Sequence, residues 1–255
     1  AFFAVLVLAL STQFLFEFRL SVPDPYLIFF TTLGLFCSYS YLRQKQWKWV
    51  VFTALALGLA TLAKGPVALA LPGLCIVLFL IFSKRWKELF DTKFLIAIVV
   101  YAAVVIPWYY AVHKATNGAW TKGFFFEHNL NRFSSEMEGH GGPFIVTPLI
   151  VFIGLMPLCA FVFSALKKST GFWAVPFTKF GLIVVITYII FFSVSSTKLP
   201  NYPMPCYPFV AILLGYWLNK KMIAGKQLPM YGFIILLLIA LALPIGGWLA
   251  LKHEV

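Results

Sequence analysis

Polar and apolar positions in this chain fall into long blocks, without the short alternation of a strand or a surface helix. Apolar blocks run roughly over 1–16, 25–42, 49–63, 66–82, 94–112, 143–166, 180–196, 207–219 and 230–251, with charged stretches between them. A helix needs about 20 mainly apolar residues to cross about 30 Å of hydrocarbon, and most blocks are near that length. The pattern predicts an all-α polytopic transmembrane bundle of about nine spans. Blocks 49–63 and 66–82 are short and separated only by Lys64-Gly65, so one of the two is expected to tilt or re-enter. Ala1 stands inside an apolar run with no basic leader, unlike a signal peptide, and Lys252-His253-Glu254-Val255 is as abrupt. Both ends read as cuts in a longer protein.

Composition agrees. The chain is 62% hydrophobic and 11% charged, with 28 Phe and a mean hydropathy of +0.92. A soluble domain carries about a quarter charged residues. Cys37, Cys75, Cys159 and Cys206 form no CxxC pair and lie mostly in apolar blocks, so they read as small buried hydrophobes without disulfide or zinc.

Charge adds a direction. One set of loops holds Arg43, Lys45 and Lys48, then Lys84, Arg85, Lys87 and Lys93, then Lys167, Lys168 and Lys179, then Lys220, Lys221 and Lys226. The alternate loops hold most of the acids. The positive-inside rule places the basic set in the cytoplasm and the other set outside. The net charge of +12 is therefore a topology signal and argues against nucleic-acid binding.

The candidate chemistry collects on the outward side. Lys64, flanked by long apolar runs, is an unusual loop lysine. Charges at the bilayer boundary are costly and mark substrate paths, although a lysine that merely snorkels to the interface is the plainer alternative. Lys198 and Tyr202 sit in Ser195-Ser196-Thr197-Lys198-Leu199-Pro200-Asn201-Tyr202-Pro203, where prolines prevent a helix and free the backbone to line a cavity. Its plainer alternative is a juxtamembrane anchor. Glu17, Arg19 and Asp24 form another outer patch. In Phe124-Phe125-Phe126-Glu127-His128-Asn129-Leu130-Asn131-Arg132-Phe133, a helix would put His128 and Arg132 on one face. Guanidinium suits a phosphate, and a helix lying on the membrane with no ligand is the alternative. Glu136, Glu138 and His140 are weak grounds for a metal. No GxxxxGK[ST], GxSxG, HExxH or GxGxxG motif occurs.

Several of these motifs, taken in order, resemble the GT-C glycosyltransferases. The likeness is to the bacterial branch of aminoarabinose (lipid A) transferases and their protein O-mannosyltransferase-like relatives. It rests on VPDP at Asp24, LAKGP at Lys64, IPWYY over 106–110, FFFEHNLNRF at His128 and Arg132, and STKLPNYPMPCYP at Lys198. It implies a membrane enzyme that moves a sugar from a polyprenyl-phosphate carrier to an envelope acceptor (glycolipid, glycan or protein). The site would face the periplasm at the bacterial inner membrane, with no cofactor or metal. Residues 1–255 would be part of one transmembrane domain, with the family's first outer loop and its catalytic aspartate upstream, and any soluble C-terminal domain downstream. By position, Arg132 and Lys198 resemble the cations that hold the carrier phosphate. Lys64, His128 and Tyr202 line the same cavity, and Asp24 resembles a second acidic residue at its mouth. Rival readings are a transporter or flippase, and a polymerase or ligase of polyprenyl-linked polysaccharide. A transporter places its site near the midplane and often shows internal repeats, which this chain lacks.

Overall fold

The structure is a computed structural model that describes residues 1–124, 141–167 and 171–253, with side chains to 242. Its described residues form helices and connecting turns, with no strand among them. In chain order the helices are α1 (Phe2–Leu10), α2 (Thr12–Glu17), α3 (Asp24–Gln44), α4 (Trp47–Lys64), α5 (Val67–Phe82), α6 (Phe94–Ala115) and the short α7 (Ala119–Lys122). They continue as α8 (Val146–Gly154), α9 (Val162–Ala165), α10 (Pro176–Val194), α11 (Tyr207–Ile223) and α12 (Met230–His253). The chain is a membrane protein: α3, α4, α6 and α10 are each long and apolar enough to cross a bilayer. Of the other apolar blocks, α5 and α11 are shorter helices and those over 1–16 and 143–166 are broken, so about nine spans remains an expectation.

Two breaks fall inside blocks that read as continuous. The block over 143–166 splits into α8 and the Leu158–Ala165 segment, which meet at 111°. Pro157 stands at the break, and proline cannot supply the amide a continuous helix requires. The first block is interrupted at Ser11, whose backbone is extended. Ser11 Oγ donates to the Gly154 carbonyl at 2.8 Å, and the Thr12 amide donates to the Met156 carbonyl at 3.1 Å. The two breaks thus satisfy one another's freed backbone groups, as irregular backbone in a membrane protein must. Gly154 is required at that crossing, since a Cβ there would stand 2.1 Å from Tyr207 Oη.

α3 and α4 form an antiparallel hairpin, α6 packs on α4, and α5, α10 and α11 pack around them. The centre is aromatic. Phe180 lies 5.1 Å from Phe79, 5.3 Å from Tyr39 and 6.1 Å from Phe209, measured between ring centroids. α1 lies along α11 at Gly215, where an added Cβ would stand 2.6 Å from the Ala4 backbone nitrogen. Without a hydrophobic force between helices in lipid, such close small-residue contacts carry association.

The antiparallel path sends the two charge sets to opposite ends. α3 begins at Asp24 and closes on Lys45, and α4 begins beside Lys45 and ends at Lys64. At the basic end, Arg85 donates to Glu88 at 2.6 and 2.9 Å and to the Leu42 carbonyl at 2.7 Å. Lys45 reaches Glu88 at 2.5 Å, and Tyr41 donates to Asp91. These bonds clip the end of α3 to the connection between α5 and α6.

Candidate functional site

The opposite end of the bundle holds the site. Lys64, the last residue of α4, forms an ion pair with Asp24, the first residue of α3. Asn201 Nδ2 donates to the same oxygen, Asp24 Oδ1, at 3.1 Å. The Lys64 ammonium also stands 5.8 Å from the centroid of the Tyr202 ring. Three segments far apart in sequence thus converge on one carboxylate. Asp24 is 3% exposed, a burial tolerable for a charge only when it is paired and hydrogen-bonded.

Local chemistry explains each placement. Pro23 and Pro25 set the start of α3, since proline fits the first turn of a helix. Gly65, at φ +98°, ends α4 immediately after Lys64 in a conformation that favours glycine. Tyr101 donates to Thr61 Oγ1 at 3.0 Å and Tyr109 to the Thr61 carbonyl at 3.3 Å, steadying the last turn of α4. Asn201 and Tyr202 belong to the proline-rich connection between α10 and α11, which forms turns where a helix is excluded.

Lys198, in the same connection, is 8% exposed. Its ammonium donates to the Ser195 carbonyl at 2.6 Å, capping the C-terminal end of α10. The negative end of the helix dipole partly offsets the buried charge. No carboxylate pairs with Lys198 among the described residues. An ammonium has three donors, so this buried cation retains capacity for an anion.

Glu17, just beyond the first apolar block, completes the cluster. It is 5% exposed. Burial raises its pKa above the ordinary value, Asp24 raises it further, and Lys64 partly opposes them.

Of the sequence-predicted residues, the structure brings together Asp24, Lys64 and Tyr202, and places Lys198 in the segment that carries Tyr202. Lys64 is paired with Asp24, a partner that the sequence reading did not assign to it. His128 and Arg132 lie outside the described residues, as do Glu127, Glu136, Glu138 and His140. Asn201 was not singled out from the sequence. Its only signal was membership of the proline-bounded polar stretch, since a neutral amide draws no attention until its carboxylate is located. Among the described residues, no cluster of three metal-ligating side chains occurs.

The described residues form an all-α membrane bundle with this charged site at one end, the architecture that the resemblance to GT-C transferases implies. Comparison with known proteins leads to the same group. Residues 1–121 match the sequence profile of the dolichyl-phosphate-mannose-protein mannosyltransferase family. The chain is 30% identical over 217 residues to an undecaprenyl phosphate-alpha-4-amino-4-deoxy-L-arabinose arabinosyl transferase of Enterobacter sp. (strain 638), covering 80% of this chain and 38% of that protein. It is 30% identical over 240 residues to the protein so named from Pseudomonas aeruginosa (strain UCBPP-PA14), covering 91% of this chain and 43% of the relative. In three dimensions it resembles ArnT from Cupriavidus metallidurans bound to undecaprenyl phosphate, with a TM-score of 0.78 and 24% identity over 97% of this chain and 44% of that one. The chain therefore spans about two fifths of the length of the relatives it matches. Its resemblance to the aminoarabinose-transferase branch of the GT-C glycosyltransferases holds in both sequence and fold.

Proposed function

We propose that the protein is a membrane glycosyltransferase that moves a sugar from a polyprenyl-phosphate carrier to a glycolipid acceptor of the lipid A kind. The observation that carries this reading is Lys198, a buried cation without a carboxylate partner among the described residues, on the fold of an ArnT bound to undecaprenyl phosphate. Its chemistry suits the reaction. A carrier phosphate gains negative charge as the sugar departs, and a preorganised ammonium in a dry site lowers that barrier. Lys198 holds the carrier phosphate, while the neutral Asp24–Lys64 pair and Asn201 form the adjoining wall. The reading needs no cofactor. The basic end of the bundle faces the cytoplasm by the positive-inside rule, so the site opens to the periplasmic face of the inner membrane.

The test supplies a labelled polyprenyl-phosphate sugar and an envelope acceptor extract to membranes carrying the protein. Lys198→Ala is expected to lower transfer on the order of a hundredfold, the cost of removing one preorganised donor. Normal transfer by Lys198→Ala would remove the phosphate role. Absence of carrier release by the unaltered protein with any acceptor would remove the transferase reading and favour a transporter.

A further inference from the structure

Lys198 and the Asp24–Lys64 pair stand on different parts of the bundle, so their joint placement needs a tie between them. The chain leaves α10 at Ser195, whose ψ of 142° turns it out of the helix. It becomes helical again at Met204. At the α10 end of this segment, Ser195 Oγ donates to the Thr197 carbonyl at 3.2 Å and Lys198 Nζ to the Ser195 carbonyl at 2.6 Å. Both bonds are local, so they do not set how the segment lies against the rest of the bundle.

That position is set three residues further on. The Tyr202 amide donates to the Leu199 carbonyl at 3.1 Å, closing a turn with Pro200 and Asn201 at its centre. Proline is favoured at the first central position of such a turn, and it also restricts the residue before it. Lys198 and Asn201 are therefore joined by a stiff stretch of backbone. Asn201 Nδ2 then donates to Asp24 Oδ1 at 3.1 Å, across 177 positions. An ionised carboxylate only accepts, so the amide nitrogen is the end that must face it, and the bond is charge-assisted. Asp24 is itself fixed at the start of α3 and by Lys64. A side chain with no charge of its own thus fastens the Lys198 segment to the α3–α4 hairpin.

We infer that Asn201 is a positioning residue for Lys198: by its bond to Asp24 it holds the segment that carries the Lys198 ammonium in register with the Asp24–Lys64 pair. The inference rests on the transferase reading, in which Lys198 holds the carrier phosphate. A cation stabilises charge developing on that phosphate only if its place is set before the reaction. A misplacement of about 1 Å costs on the order of a hundredfold. Asn201 acts through Lys198 and not on the phosphate, so its removal matters only while Lys198 is present.

The experiment is a double-variant cycle on transfer from a labelled polyprenyl-phosphate sugar to an envelope acceptor extract, in membranes carrying the protein. Asn201→Ala, Lys198→Ala and the two together are compared by kcat/KM per folded molecule, the folded amount being taken from the unfolding amplitude in detergent. Asn201→Ala is expected to lower kcat/KM on the order of tenfold, since it displaces the cation without removing it. In Lys198→Ala protein the same change should cost less than about twofold, because no cation remains to be positioned. An amide with a merely structural role would cost the same factor in both backgrounds. Asn201→Gln, which keeps the amide one methylene further out, should retain part of the rate and enters the same cycle if Asn201→Ala does not fold. An unchanged rate in the Asn201 variants, or an equal loss with and without Lys198, overturns the inference and leaves the transferase reading intact. Normal transfer by Lys198→Ala overturns the phosphate role, and absence of transfer by the unaltered protein overturns the transferase reading; the inference falls with either.

Discussion

At the basic end of the bundle, Glu88 accepts two bonds from Arg85 and one from Lys45, while Asp91 accepts from Tyr41 and from the Lys93 amide. At the other end, Asp24 accepts from Lys64 and Asn201 at one oxygen, and Glu17 beside it has no bond among the described residues. Both ends join carboxylates to cations, yet Glu17 shifts in the opposite direction to Glu88 and Asp91. Desolvation raises the Glu88 pKa, but the bonds from Arg85 and Lys45 outweigh it and hold the carboxyl below its ordinary range. The bond from Tyr41 does the same for Asp91. For Glu17, burial dominates and the pKa rises. Saturated, partly exposed carboxylates fasten helices together. A buried carboxylate whose pKa is raised costs stability when it ionises.

The largest effect should come from breaking the buried pair. Lys64→Met leaves Asp24 with only Asn201, and should cost about 2–3 kcal/mol, less than a fully buried pair because Lys64 is partly exposed. Thermal unfolding in detergent measures it. Adding Asp24→Leu should recover most of the loss, since the penalty is that of an unpaired buried charge. A double variant no more stable than Lys64→Met would mean the pair is not the source.

Glu17→Gln should act in the other direction and stabilise the empty protein at neutral pH. A group whose folded pKa is raised contributes stability that is present below its ordinary value of 4.5 and lost as pH rises through the folded value. Replacing Glu17 removes that loss. The expected result is a higher unfolding midpoint at pH 7 and little change at pH 4, and equal shifts at both would show that ionisation is not responsible.

The smallest effect belongs to the basic end. Lys45→Ala should cost about 0.2–1 kcal/mol and be weakened further by salt, as exposed ion pairs are. The sign of its pH dependence is opposite to that of Glu17. Glu88 and Asp91 have lowered folded pKa values, so their contribution is present above the ordinary values of 4.5 and 3.8, and fades as pH falls through the folded ones. Double replacement by Glu88→Gln and Asp91→Asn should flatten that acid limb, and an unchanged limb would place the acid sensitivity elsewhere.

Much of this arrangement was legible before the fold was known. Lys64 stood out because a lysine between long apolar runs is costly, Lys198 because prolines free its segment to line a cavity, and Asp24 as an acid of an outer patch. The break at Pro157 was visible in the letters but hidden by the apolar length of the block around it. The break at Ser11 carried no local signal, because it depends on the carbonyls of Gly154 and Met156 on another segment. Asn201 and the unpaired state of Glu17 were equally invisible, since a polar residue declares no partner in sequence.

Membrane embedding and the two-sided charge pattern were thus determined by the sequence alone, because apolar length and loop charge are local properties that the bilayer reads directly. Which charge would be neutralised was decided only by the tertiary structure. Asp24 meets Lys64 across 40 positions and Asn201 across 177, and pairing depends on distance in space, which helix packing sets and sequence spacing does not.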